Sequence, residues 1–263
     1  MIGAIAGDVI GSVHEGAGTK TKDFPLFAEG CQFTDDTVLA VAVAEQILRA
    51  GEFMDLFHDY YQAYPHAGYG GSFILWAACR RCEPYNSWGN GSAMRVTPIG
   101  TAYDTLDEVL AQARRSAEVT HNHPEGIRGA QATAAAVFLA RTGWGKEDIK
   151  THIERDFGYN LGERLDDIRP SYSLDVSCQR SVPQSIIAFL ESDSYEDAVR
   201  NAISLGGDAD TMACIAGGIA EAYYGDVPEP IRVRTLAALD ERLRAVVDEF
   251  VERFGNRLTK RST

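Results

Sequence analysis

Gly3, Gly7 and Gly11 recur every fourth residue through an apolar segment whose Ile2, Ile5, Val9, Ile10 and Val13 also keep helical spacing. A glycine inside a helix costs up to about 1 kcal/mol relative to alanine, so a stripe of them needs a compensating contact. The contact a bare helix face permits is a second helix packed unusually close. The same rhythm predicts helices over 36–50, entered at Thr34/Asp35 and stopped by Gly51, and over 52–64, with Phe53, Leu56, Phe57 and Tyr60 on one side. An apolar helical run follows at Phe73–Trp76. Thr105 and Glu108 form a capping-box signature ahead of Val109, Leu110 and Ala113, and Pro124 suits the first position of a helix through 127–141. Further helices are expected at 146–156, 182–190, 195–205, 211–224 and 240–254, with Asp193 or Ser194 capping the third of these and Pro228 and Pro230 marking the last connection. No segment sustains strand alternation between turn signals. Gly/Pro/Asn-rich loops at 64–72, 83–92 and 120–126 are too short for linkers, and no internal repeat divides the chain. The expectation is an all-α fold with residues 1–263 as one domain.

Composition narrows the function. With 263 residues and 45% hydrophobic content the chain can bury a substantial core. Its 25 basic and 38 acidic residues leave a net charge of -13, which argues against a nucleic-acid surface. A small anionic ligand stays open where metal ions or helix N-termini screen the charge. The five cysteines (Cys31, Cys79, Cys82, Cys178 and Cys214) and the absence of a basic n-region point to free thiols in a reducing cytoplasm. Cys79 and Cys82 end an apolar helical run with no second such pair, so a structural role fits them better than zinc or redox use. No stretch approaches the roughly 20 apolar residues of a membrane span.

The chemistry concentrates in two acidic clusters, Thr34-Asp35-Asp36-Thr37 and Gly206-Gly207-Asp208-Ala209-Asp210-Thr211, each where a polar turn enters an apolar helix. One such residue suffices to cap a helix, and independent capping is the plain alternative. Two carboxylates and flanking threonines at both places exceed that need. Carboxylates so close repel, and a divalent cation with a taste for hard oxygen ligands (magnesium, manganese or calcium) relieves them. Four carboxylates balance two such ions in charge, and Asp208 and Asp210, two apart, could bridge them.

Other segments carry weaker signals. Glu15 ends the first helix, where its charge opposes the helix dipole, so it is either an ordinary surface residue or one used elsewhere. Gly16–Thr21 fails the phosphate-loop register because Thr19 precedes Lys20. Trp88-Gly89-Asn90-Gly91-Ser92-Ala93-Met94-Arg95 is a turn entering a helix, able to present bare backbone N–H groups to a ligand or simply to turn the chain. His121-Asn122-His123 reads as a polar loop, lacking a third zinc ligand. No serine-hydrolase elbow, HExxH or dinucleotide fingerprint is present.

Five of these pieces, in order, resemble the ADP-ribosylglycohydrolase family: Gly7–Glu15, Thr34–Thr37, Gly89–Arg95, Thr120-His121 and Gly206–Thr211. The resemblance implies an all-α, orthogonally packed bundle with a binuclear magnesium or manganese site. It implies Thr34, Asp35, Asp36 and Asp210 around one ion, Asp208, Asp210 and Thr211 around the other, and Asp210 as the bridge. Glu15 would lie on a loop covering the site. Asn90, Gly91, Ser92 and His121 would contact ribose and diphosphate, with Gly70 and Gly71 lining the same cleft. Many relatives carry a Gly-Tyr pair, stacking on adenine, where this chain has Ser177-Cys178; Tyr85, Trp88 or Tyr172 would take that part. The implied reaction is hydrolysis of the bond between ADP-ribose C1'' and an acceptor, a modified protein side chain or a small molecule, with Glu15 or Asp36 as the base. A nucleic acid enters only as a modified substrate. A binuclear phosphoesterase and a non-catalytic ADP-ribose-binding or structural member are the rival readings.

Overall fold

Helical periodicity carries through nearly the whole chain. The computed structural model describes residues 1–257 and begins with α1 (Ile2–Gly11), α2 (Asp35–Arg49), α3 (Phe53–Ala63), α4 (Gly71–Ala78) and α5 (Thr97–Ala102). It continues with α6 (Leu106–Glu118), α7 (Pro124–Arg141), α8 (Lys146–Phe157), α9 (Leu165–Ile168) and α10 (Cys178–Leu190). It closes with α11 (Tyr195–Ile203), α12 (Ala209–Tyr224), α13 (Glu229–Ala237) and α14 (Glu241–Phe254). The fold is all-α; among the described residues the only β pairing is an isolated antiparallel bridge between Gly89 and Ser177.

The glycine stripe finds its close neighbour in α12, far along the chain. A methyl group placed on Gly7 would lie 2.0 Å from the Ala213 carbonyl oxygen, one on Gly3 2.5 Å from that of Gly217, and one on Gly11 2.5 Å from the Asp210 Cα. Every residue of α1 is buried, as is α12 from Ala209 to Ala222. Around this axis α12 also packs on α7, α10 and α11, and α14 leans on α2. Large side chains such as Leu39, Phe57, Trp76, Ile99, Phe189 and Phe250 fill the core between them, each worth about 1.5–3 kcal/mol when withdrawn from water.

The caps follow local chemistry. Thr105 and Glu108 close the expected capping box on α6, and Ser194, not Asp193, caps α11 by accepting from the Asp197 N–H at 3.1 Å. Three helices go beyond the sequence expectation. The four-residue α9 and six-residue α5 are too short to show a period. Pro230 marks the first turn of α13 instead of punctuating a connection, because proline lacks only an N–H that a first turn does not use. The helix expected from 182 begins at Cys178 and takes Pro183 inside it. There the missing donor strands only the carbonyl of Gln179, an exposed residue. No described helix is long and apolar enough to cross a membrane.

Candidate active site

Asp8, buried in the middle of α1, organises the start of α2. Its Oδ2 accepts from the Thr34 N–H at 2.9 Å and the Thr37 N–H at 3.1 Å, and both threonine hydroxyls donate to the same carboxylate. Thr34 is the N-cap, accepting from the Asp36 N–H at 3.3 Å. Capping is therefore complete without Asp35 or Asp36, whose carboxylates are left for the cleft. Asp208 stands at the N-cap position of α12 and makes no capping bond. Its Oδ2 turns away to accept from the Asn90 amide at 2.7 Å.

The two acidic clusters meet. Thr211 donates to Asp36 Oδ2 at 3.2 Å. Carboxylate oxygens of Asp8, Asp36 and Asp210 lie within 4.8 Å of one another, and those of Glu15, Asp208 and Asp210 form a second such group. Asp210 belongs to both. Asp35 stands outside both groups, half-buried on the Gly68 side of the cleft, with its N–H on the Ala67 carbonyl at 2.7 Å. Burial first, and then the charge of Asp210, push the carboxyls of Asp35, Asp36 and Asp208 well above the ordinary range. The same causes raise Asp8 to about 7 against the pull of its threonine bonds. Glu15 is raised chiefly by Asp210 and then by burial. Asp36 Oδ1 and Asp210 Oδ1 are buried without a hydrogen-bond partner among the described residues. Crowded, orphaned, hard oxygen donors fit divalent cations of the magnesium type.

These groups floor a cleft of about 310 Å³. Glu15, Thr34, Asp35, Asp36, Asp208, Asp210 and Thr211 line it, with Gly70, Gly71, Asn90, Gly91 and His121 around them. Three residues expected in the cleft lie off its lining. Ser92 is buried below it, donating to the Gly126 carbonyl at 2.7 Å. Trp88 projects to solvent, 53% exposed, its ring edge on His123. Of the aromatic rings proposed for adenine, Tyr85 lines the cleft. Tyr172 instead lies under Gly207, where an added methyl would come 2.3 Å from its ring. Cys178, in the place of the relatives' tyrosine, is buried and packs against Gly129.

The loop bearing Glu15 is strapped down. Lys20 donates to the carbonyls of Tyr172 and Leu205, so the lysine of the failed phosphate-loop motif serves as an anchor. His14 bonds Thr19 at 2.9 Å and packs on Phe24. His121 bonds Thr120, while His123 caps α7 through the Glu125 N–H, so the two histidines share no site. Cys79 and Cys82 are exposed free thiols and join no metal-ligating group among the described residues. Asp8 is the residue that sequence reasoning missed as part of the cluster; a lone aspartate in an otherwise apolar helix is its visible signal.

Comparison with known proteins bears on the family and the fold. A family model described as ADP-ribosylglycohydrolase matches residues 1–261. The chain is 30% identical to ADP-ribosylhydrolase ARH3 of Homo sapiens over 311 aligned positions, covering 87% of this chain and 86% of the relative. It is 24% identical to ADP-ribosylarginine hydrolase Tri1 of Pseudomonas putida (strain GB-1), over 96% of this chain and 77% of that protein. A solved chain of an ADP-ribosylglycohydrolase-related protein complex superposes with a TM-score of 0.72 at 25% identity, covering 96% of each. By fold, motif order and this likeness, the chain belongs to the ADP-ribosylglycohydrolase family.

Proposed function

We propose that this protein, acting as one domain, hydrolyses the bond between the anomeric carbon C1'' of ADP-ribose and an acceptor on a protein side chain or small molecule, with two divalent cations, magnesium or manganese. The observation that carries the reading is Asp210, shared by two carboxylate groups on the floor of a ligand-sized cleft. Thr34, Asp35, Asp36, Asp208, Asp210 and Thr211 would hold the ions. Cations there would offset the carboxylate charge, orient the terminal ribose and acidify a water.

The chain's own residues supply the rest. Glu15 is the better placed of the two candidate bases: it is exposed beside Asp208 and Asp210 at the cleft mouth, able to take a proton from the attacking water and pass it to solvent. Asp36, buried and accepting from Thr211, would serve instead to hold an ion. Holding the terminal ribose against that water, within reach of Glu15, would lower the barrier to the oxocarbenium-like transition state as the acceptor leaves. Asn90 orients Asp208, and Gly70, Gly71 and Gly91 let the ligand approach the backbone closely. Tyr85 offers the adenine a ring in place of the missing tyrosine.

The test is incubation with ADP-ribosylated serine and arginine peptides in magnesium, with products weighed by mass spectrometry. Release of intact ADP-ribose, lost in Asp210→Asn, is the expected result. AMP or phosphate as product would make the protein a phosphoesterase, and no turnover with any acceptor would leave it a non-catalytic binder.

A further inference from the structure

The cleft is built largely of carboxylates, yet the ligand proposed for it carries a diphosphate. Arg95 is the single lysine or arginine among the residues lining the cleft, and its side chain is fully buried. It forms no ion pair with any carboxylate among the described residues. Its Nε donates to Ser116 Oγ at 3.3 Å, its Nη2 to the Ser116 carbonyl at 2.7 Å and to Thr120 Oγ1 at 3.0 Å, and its face rests on the Phe57 ring. Nη1 is buried with no partner among the described residues. A guanidinium kept out of water without a counter-ion is costly, and a bound anion is what relieves that cost.

Its bond to Thr120 reaches further. Thr120 Oγ1, accepting from Arg95, lies 2.7 Å from His121 Nδ1. A hydroxyl has one hydrogen to give and two lone pairs to accept with, and Tyr85 also lies within its hydrogen-bonding reach; with that hydrogen turned to the imidazole, Nδ1 is the unprotonated nitrogen. The proton of a neutral imidazole then sits on Nε2, and Nε2 is the atom beside Gly89 and Gly91, 3.2 Å from where a methyl on Gly91 would be. We propose that Arg95 is the positioning residue for the anionic end of the ligand: through Thr120 it holds His121 as the Nε2–H donor, and its buried charge draws a diphosphate oxygen to that donor. Burial and then the charge of Arg95 press the His121 pKa well below its usual value, which keeps the ring neutral. The inference rests on the proposed ADP-ribose chemistry for its ligand; the hydrogen-bond relay itself does not.

Two measurements on the magnesium-loaded protein decide it. Nitrogen-15 NMR of the wild type should show His121 as the Nε2–H tautomer at neutral pH, and an Nδ1–H tautomer overturns the relay. Calorimetry with ADP-ribose and with phosphate-free adenosine should show Thr120→Val and Arg95→Met weakening ADP-ribose by about tenfold or more while adenosine is unchanged. Arg95→Lys, which keeps the charge, should recover part of the loss. Equal weakening of both ligands, or of neither, overturns the proposal. If Arg95→Met does not fold, Thr120→Val and the wild-type tautomer still separate these outcomes. Failure of the wild type to bind ADP-ribose would remove the parent reading and with it this ligand, while an Nε2–H tautomer would still support the relay.

Discussion

Burial and then the neighbouring Asp210 raise Asp8, Asp35, Asp36 and Asp208, and Asp210 is the first cause of the rise at Glu15. Asp210→Asn removes the shared ligand of both carboxylate groups. It should lower kcat by about a thousandfold and abolish one of two magnesium-binding events seen by calorimetry. Glu15→Gln should cost about 10²–10⁴ in kcat through loss of the proposed base, with magnesium affinity nearly intact and thermal stability unchanged because the residue is exposed. At this scale the sequence made the doubled aspartates legible, since they outnumber what helix capping requires. Asp8 and Arg95 were harder to read as site residues. A lone charge in an apolar run has a function only through its partners, here Thr34 and Thr37 for Asp8 and Thr120 for Arg95, and those come from other parts of the chain.

Between elements, the seam of α1 and α12 is the tightest contact in the fold. Gly7→Ala forces a methyl into the Ala213 backbone, which neither helix can yield without separating. Overpacking of this kind should destabilise by about 3 kcal/mol, read as a lower denaturant midpoint with unchanged slope. Thr105→Ala removes one half of the α6 capping box and should cost about 1 kcal/mol by the same measurement. The seam was legible because glycines four apart have few other uses in a helix, and long amphipathic elements such as α6 and α14 declared themselves by period and cap. The short α5 and α9 did not, because one or two turns draw their stability from packing and leave no periodic trace, and α13 was hidden by the prolines at its start.

For the whole molecule, the raised carboxyls couple folding to acidity and to cations. A carboxyl whose native pKa is raised holds its proton more tightly folded than unfolded. Its stabilising contribution is complete below the unfolded value of about 4 and is lost as pH rises through the native value, about 7 for Asp8. The metal-free protein should therefore melt at progressively lower temperature from pH 4 to pH 8, the reverse of ordinary acid denaturation. Magnesium at a hundred times its Kd should restore about 2.7 kcal/mol at pH 8, a rise of about 5–10 °C in melting temperature. A melting temperature that climbs with pH in chelator would refute the charge-crowding account.

Gly11 touches the backbone of Asp210 itself, at its Cα and N, so the carboxylate floor of the cleft is tied to the last link of the helix seam. Any loosening there would shift the shared carboxylate before a single turn of helix is lost. The proposed turnover should consequently fade on warming ahead of the far-ultraviolet signal, making its rate the most sensitive gauge of how firmly the first ten residues are seated.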